Sequence, residues 1–133
     1  MSELLNGLND KQKEAAMYVD GPLLILAGAG SGKTRTLTYK IAYLLEEGIV
    51  KPWEILAITF TNKAAKEMKT RVESLIGENG NDIWLGTFHS VCVRILKREI
   101  NLIGYSTDFN IFDELDKEKV IKEVLKKLNI DDK

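Results

Sequence analysis

A chain of 133 residues is long enough for one domain with a sizeable core, and its 44% hydrophobic and 29% charged content is that of an ordinary globular protein. No apolar run approaches the roughly 18 residues of a membrane span or follows a basic stretch as in a signal peptide, so no membrane partner is expected. Nineteen basic against 20 acidic side chains exclude a net-charge footprint for nucleic acid, though local patches and stacking can still bind it; the single cysteine, Cys92, excludes an internal disulfide and fits a reducing, cytoplasmic compartment.

Met1 to Gly7 reads as a loose leader. Asn9 is a candidate N-cap with Gln12 three residues later, the pattern of a capping box. Ala15, Ala16 and Val19 are expected to face inward on this first helix, which Gly21-Pro22 ends. Gln12 has two readings: its amide caps the helix, or its paired donor and acceptor match the N6/N7 edge of adenine.

Leu23 to Leu26 are apolar without alternation, which predicts a buried parallel strand. Ala27-Gly28-Ala29-Gly30-Ser31-Gly32-Lys33-Thr34 follows. Its glycines let the backbone curl and aim N–H groups inward at a helix start. Such a concave row of donors binds phosphate, because the donors are unpaired and the helix dipole favours negative charge. Lys33 is placed to reach β- and γ-phosphates, and the Thr34 hydroxyl to ligate Mg²⁺. This is a Walker A phosphate loop, with Ala27 where the general motif has Gly.

Lys33 to Glu47 reads as a helix with Leu37, Ile41, Leu44 and Leu45 on one face, closed by Gly48. After a turn at Lys51-Pro52-Trp53, Ile55 to Phe60 is a second buried strand. Thr61-Asn62 offers a cap for a helix from Lys63 to Ile76, closed by Gly77, with Glu67 and Arg71 as an i,i+4 pair. Glu78 to Asp82 is a polar turn, and Ile83 to Phe88 a third strand. A helix from His89 or Ser90 to Gly104 turns Val91, Cys92, Ile95, Ile100 and Ile103 inward, which makes Cys92 an inert core residue. Phe109 to Phe112 is a short fourth strand. Asp113 to Asn129 is a last helix, with Val120, Ile121, Val124, Leu125 and Leu128 as one stripe and Glu118–Lys122 and Glu123–Lys127 as ion pairs on the other side.

This alternation implies an α/β fold: a parallel sheet flanked by helices, with right-handed crossovers. Ligands in such sheets bind beyond the carboxyl ends of the strands. That rule puts Ala27–Thr34, Thr59–Asn62 and Gly86–His89 on one edge. Phe60 and Phe88 there either pack under the sheet end, or Phe60 is a platform for base stacking with Thr, Asn and His side chains bonding phosphates around it. His89 is the only histidine, so a metal site built on it is not expected.

The chain resembles the N-terminal part of superfamily 1 DNA helicases of the UvrD/PcrA/Rep type. Leu8-Asn9-xx-Gln12-xx-Ala15 is similar to the family's adenine-reading Q motif, and Ala27 to Arg35 to motif I, where Ala27 is usual. Ile58 to Ala65 with Met68 is similar to motif Ia, and Gly86-Thr87-Phe88-His89-Ser90 to motif Ib. The resemblance runs essentially end to end and implies a P-loop NTPase (RecA-like) domain. It implies that Gln12 contacts adenine, that Ala27, Gly28, Ala29, Gly30, Ser31, Gly32, Lys33 and Thr34 hold the phosphates of ATP and Mg²⁺, and that Arg35 lies against the nucleotide. Thr59, Phe60, Thr61, Asn62, Thr87 and His89 then line a path for single-stranded DNA. The implied parent is a 3′ to 5′ ATP-dependent helicase or translocase that parts duplex DNA in repair or replication.

No Asp-Glu-x-Gln-Asp stretch follows a strand, and no second RecA-like domain with its arginine fingers is present. Phosphoryl transfer is catalysed by positioning and charge stabilisation, which half a cleft cannot supply. The chain is therefore expected to be a piece of a longer helicase, inactive without the remainder. Residues 1–112 are expected to be an incomplete RecA-like ATP-binding domain and 113–133 the start of an inserted helical subdomain. Two alternatives stay open: a helicase subunit of an AddA/RecB-type helicase–nuclease, or, for the piece itself, a non-catalytic nucleotide- or phosphate-binding module.

Overall fold

A computed structural model describes residues 3–80 and 82–130. They fall in two compact units, Met1–Ile95 and Leu96–Lys133.

The first unit opens with a 3-10 helix, Glu3–Gly7. Leu5 is buried there, packed with Leu8 and Ala16 under Leu4, Tyr39 and Tyr43. The expected loose leader is thus ordered from Glu3, because Leu5 and Leu8 supply an apolar anchor; Met1 and Ser2 lie outside the described residues. Helix α1 spans Asp10–Met17 and carries the full capping box: Gln12 N–H donates to Asn9 Oδ1 (2.9 Å) and Asn9 N–H to Gln12 Oε1 (3.1 Å). It ends before Gly21-Pro22, and Val19 beyond it is exposed while Ala16 is buried.

Helix α2 spans Lys33–Glu46 and buries Thr36, Thr38, Ile41 and Ala42. The two threonine hydroxyls donate to carbonyls one turn back, Gly32 (3.1 Å) and Thr34 (2.7 Å), so their burial leaves no orphan donor. Gly48 follows in the left-handed region (φ 66°). A 3-10 turn, Pro52–Glu54, leads into strand β1, Leu56–Thr59. Helix α3, Asn62–Ile76, is capped by the Thr61 hydroxyl, which accepts the Ala64 N–H (3.1 Å). The expected Glu67–Arg71 pair forms. A 3-10 turn, Gly77–Gly80, occupies part of the expected polar turn; Asn81 lies outside the described residues.

Strand β2, Trp84–Thr87, pairs with β1 in parallel, with Leu56 opposite Trp84 and Thr59 opposite Thr87. The core lies where α2 and α3 meet this ladder: Ile41, Ala57, Met68, Val72 and Ile83, with Leu45, Ile55, Ile76 and Leu85 around them.

Two expected strands do not form among the described residues. The sheet holds β1 and β2 only, and Leu23–Leu26 joins neither. Leu24 and Leu26 are 81% and 86% exposed. An apolar run signals a wish for burial, but a strand exists only where a neighbour completes its ladder. Phe109–Phe112 fails for the same reason, with Ile111 and Phe112 exposed.

Helix α4, Phe88–Glu99, starts one residue before His89, the earlier of the two expected starts. It buries Val91, and Ile100 is buried just beyond its end, but Cys92, Ile95 and Ile103 are exposed. Cys92 is therefore a surface thiol rather than a core residue: the helix buries a narrow stripe, and position 92 falls outside it.

In the second unit a 3-10 turn, Ile100–Ile103, ends at Gly104 in the left-handed region (φ 84°). Helix α5, Glu114–Lys127, has Asp113 as N-cap, acidic Glu114 and Asp116 in its first turn and Lys126 and Lys127 in its last, an arrangement that suits its dipole. Its ion pair is Glu114–Lys117 (3.4 Å), not the two expected i,i+4 pairs. Val120, Ile121, Val124 and Leu128 are exposed.

Candidate functional site

The loop that leads into α2 is curled. Gly30 (φ 76°) and Gly32 (φ 83°) adopt left-handed conformations that residues with a Cβ rarely accept, and Gly32 is the N-cap of α2. Ser31 N–H and Oγ both return to the Gly28 carbonyl, at 3.2 and 2.6 Å, which closes the turn. No side chain caps α2, and its first backbone bond outside the helix proper is Thr36 N–H to the Gly32 carbonyl (2.8 Å). The N–H groups of Lys33, Thr34 and Arg35, which precede that bond in the helix, are left for an outside acceptor.

The first turn of α2 carries no acidic residue but contains Lys33 and Arg35. Placing cations at the positive end of a helix dipole is unfavourable unless an anion joins them. The exposed Lys33 Nζ donates to the Ala27 (3.0 Å) and Gly28 (3.3 Å) carbonyls, so the ammonium rests on the loop itself. Curled amides, a helix start and an ammonium group at the loop are together the kind of groups that can receive an anion.

Gln12 joins this loop to α1. Its Nε2 donates to the Ser31 carbonyl (3.0 Å), while its Oε1 is held by the capping box. A Cβ on Gly32 would lie 2.8 Å from that Nε2, so a larger residue there would push the Gln12 amide aside. Arg35 turns toward the chain's start: it donates to the Gly7 carbonyl (2.9 Å) and lies over the Tyr39 ring at 5.5 Å. Lys40 Nζ donates to the Ala15 (3.3 Å) and Tyr18 carbonyls at the far end of α1, and partial burial holds its pKa below the usual lysine range.

A second cluster stands at the carboxyl ends of β1 and β2. Thr59 and Thr87 are register partners, so the next residues, Phe60 and Phe88, emerge side by side. Their rings meet at 5.4 Å with planes inclined at 58°. The turn under Phe88 is tightly bonded: Thr87 N–H donates to Ser90 Oγ (2.8 Å), Ser90 N–H to Thr87 Oγ1 (3.2 Å) and Ser90 Oγ to the Thr87 carbonyl (3.0 Å). Thr87 is buried and its hydroxyl engaged in this turn, whereas Thr61, Asn62 and His89 are exposed around the ring pair. Thr59 Oγ1 donates to the Thr61 carbonyl (3.1 Å). Phe88 and Ser90 matter more here than their place in the sequence suggested. The signal was the repeated pattern of an aromatic after a strand-ending threonine.

The family profile described as UvrD/REP helicase N-terminal domain matches residues 8–133 of the chain. The chain belongs to the UvrD/REP helicase family. Among its relatives, the ATP-dependent DNA helicase PcrA of Bacillus subtilis strain 168 is 60% identical over 132 residues, which is 99% of this chain. PcrA of Staphylococcus epidermidis strain RP62A is 59% identical and PcrA of Staphylococcus aureus strain Mu50 58%, each over the full 133 residues. The chain spans 18% of the length of each of these UvrD/REP relatives. No helix among the described residues is long and apolar enough to cross a membrane, and none of those residues forms a His/Cys/Asp/Glu cluster fit for a metal ion.

Proposed function

We propose that this chain carries the nucleotide-loop portion of a DNA motor: a 3′ to 5′ ATP-dependent helicase or translocase whose first RecA-like domain begins here. Residues 1–112 belong to that domain in this reading, and 113–133 open an inserted helical subdomain. The observation that carries it is the curled loop from Gly28 to Gly32 with Lys33 at its mouth, in a chain 60% identical to a protein named ATP-dependent DNA helicase PcrA.

The loop's residues fit a polyphosphate. Ala27 to Gly32 would supply backbone donors, Lys33 the charge on the outer phosphates and Thr34, whose side chain is exposed, an oxygen for Mg²⁺. To reach a phosphate, Lys33 exchanges the Ala27 and Gly28 carbonyls for it. Gln12 would read adenine. Arg35 would lie against the nucleotide after giving up its bond to Gly7. Bound ATP supplies the free energy of phosphoryl transfer for movement. Phe60, Thr61, Asn62 and His89 would meet single-stranded DNA, with Thr59 and Thr87 fixing the strand ends beneath them. Hydrolysis and unwinding of duplex DNA would need the rest of the motor.

Calorimetric titration with ADP and Mg²⁺ tests this reading. The chain should bind, and Lys33→Ala should abolish binding. Unchanged binding by Lys33→Ala would remove the phosphate-loop assignment. DNA-stimulated ATP turnover by this chain alone would overturn its proposed dependence on the rest of the motor.

A further inference from the structure

The Gln12 amide is shared between two structures. One N–H of Nε2 goes to the Ser31 carbonyl (3.0 Å) and one lone pair of Oε1 to the Asn9 N–H (3.1 Å). A carboxamide has two N–H bonds and two lone pairs, so one of each remains for a base edge. The half-buried side chain also passes close to Gly32, where a Cβ would come within 2.8 Å of its nitrogen. The amide therefore bonds the loop at Ser31 and lies beside Gly32, the residues between the curled segment and the start of α2. Gly32 is left-handed (φ 83°) and no side chain caps α2. Gln12 is the side chain from outside the loop that holds this junction by a hydrogen bond. Its own position is set by α1, which Lys40 secures at the other end through the Ala15 and Tyr18 carbonyls.

We infer that Gln12 is a positioning residue for the phosphate loop, which it holds in its curled form whether or not a base is present. This goes beyond adenine reading and rests on the proposal that the loop takes phosphates. A residue that only reads the base cannot influence a ligand that has none. One that braces the loop must.

The test compares ADP with inorganic pyrophosphate, each with Mg²⁺, by calorimetry on the full chain. Gln12→Met keeps length and bulk but cannot bond Ser31 or cap α1. Asn9→Ala weakens the α1 cap but leaves the Ser31 bond. Gln12→Met should weaken pyrophosphate about five- to tenfold, the effect of one lost hydrogen bond, and Asn9→Ala should change it less than twofold. Circular dichroism melts on both variants, together with Gln12→Glu, which keeps the cap acceptor and loses the donor, separate loss of fold from loss of bracing. Gln12→Met weakening ADP while leaving pyrophosphate unchanged would overturn the inference and leave a simple base reader. Equal losses in Gln12→Met and Asn9→Ala would overturn it in favour of helix fraying. If the unaltered chain binds neither ligand, the phosphate-loop reading itself fails.

Discussion

The ring of Phe60 meets the ring of Phe88 at 5.4 Å, although one follows β1 and the other follows β2. The parallel register that sets Thr59 against Thr87 brings them together. Phe60 is 89% exposed and Phe88 50%, so this pair stabilises no core. In the proposed reading, these two exposed rings, each followed closely in sequence by an exposed polar side chain, Asn62 or His89, would serve as a sequence-tolerant platform for bases.

Phe60→Ala should therefore lower affinity for a single-stranded oligonucleotide by about 1–3 kcal/mol, the usual loss for one stacked base. Its effect on stability should stay within about 0.5 kcal/mol, because little of the ring is buried. Fluorescence anisotropy with a labelled oligonucleotide, alongside urea unfolding, measures both. Full affinity in Phe60→Ala would exclude the ring pair as a platform.

The loop glycines should differ in a definite order. Gly28 has no positive φ and open space where a Cβ would go, so Gly28→Ala should be nearly neutral for stability. Gly30 has open space but a φ of 76°, so Gly30→Ala should cost about 1 kcal/mol of backbone strain. Gly32→Ala adds a 2.8 Å contact with the Gln12 amide to a φ of 83° and should cost more than either. Urea unfolding of the three variants checks the ranking, and an equal effect at all three would mean the loop is not curled as described.

Much of this was legible because local chemistry fixes it. Asn9 and Gln12 spell a capping box and form one; Thr61 is a cap, and Gly48, Gly77 and Gly104 close helical segments with positive φ. What failed needs information from far along the chain. Leu23–Leu26 and Phe109–Phe112 have strand-like composition, yet a ladder requires a partner that composition cannot name. The Gln12–Ser31 bond, 19 residues apart, and the Phe60–Phe88 contact depend on packing and register, which period alone does not reveal. Even so, the motif residues already marked both places. Cys92 was misplaced because α4 buries a narrower stripe than its apolar count suggests.

That distinction between apolar and buried is measurable. Met68 is buried against Ile41, Ala57, Val72 and Ile83, so Met68→Ala should cost about 2–5 kcal/mol. Leu24 is as apolar in sequence but 81% exposed, and Leu24→Ala should change stability by less than about 0.5 kcal/mol. Comparable losses in the two variants, read from urea midpoints, would mean that Leu23–Leu26 is packed after all.

Lys40 offers a pH-dependent test of how α1 is held. Its ammonium donates to the Ala15 and Tyr18 carbonyls at the end of α1, and partial burial lowers its pKa from the ordinary 10.5. Between the lowered folded value and 10.5 the unfolded chain binds more protons at this site than the folded one. The Lys40 contribution to stability therefore rises with pH through that window, and below it the desolvation cost applies in full. Lys40→Met keeps the stem's packing, loses both carbonyl bonds and has no proton to titrate. At neutral pH it should melt lower, by about 1 kcal/mol of lost hydrogen bonding, and it should lack the alkaline rise attributable to this site. Thermal melts of both proteins from pH 7 to just below 10.5 follow the difference between them. A constant difference across that range would show that Lys40 is not desolvated at the end of α1, and no difference at all would show that its carbonyl bonds do not hold the helix.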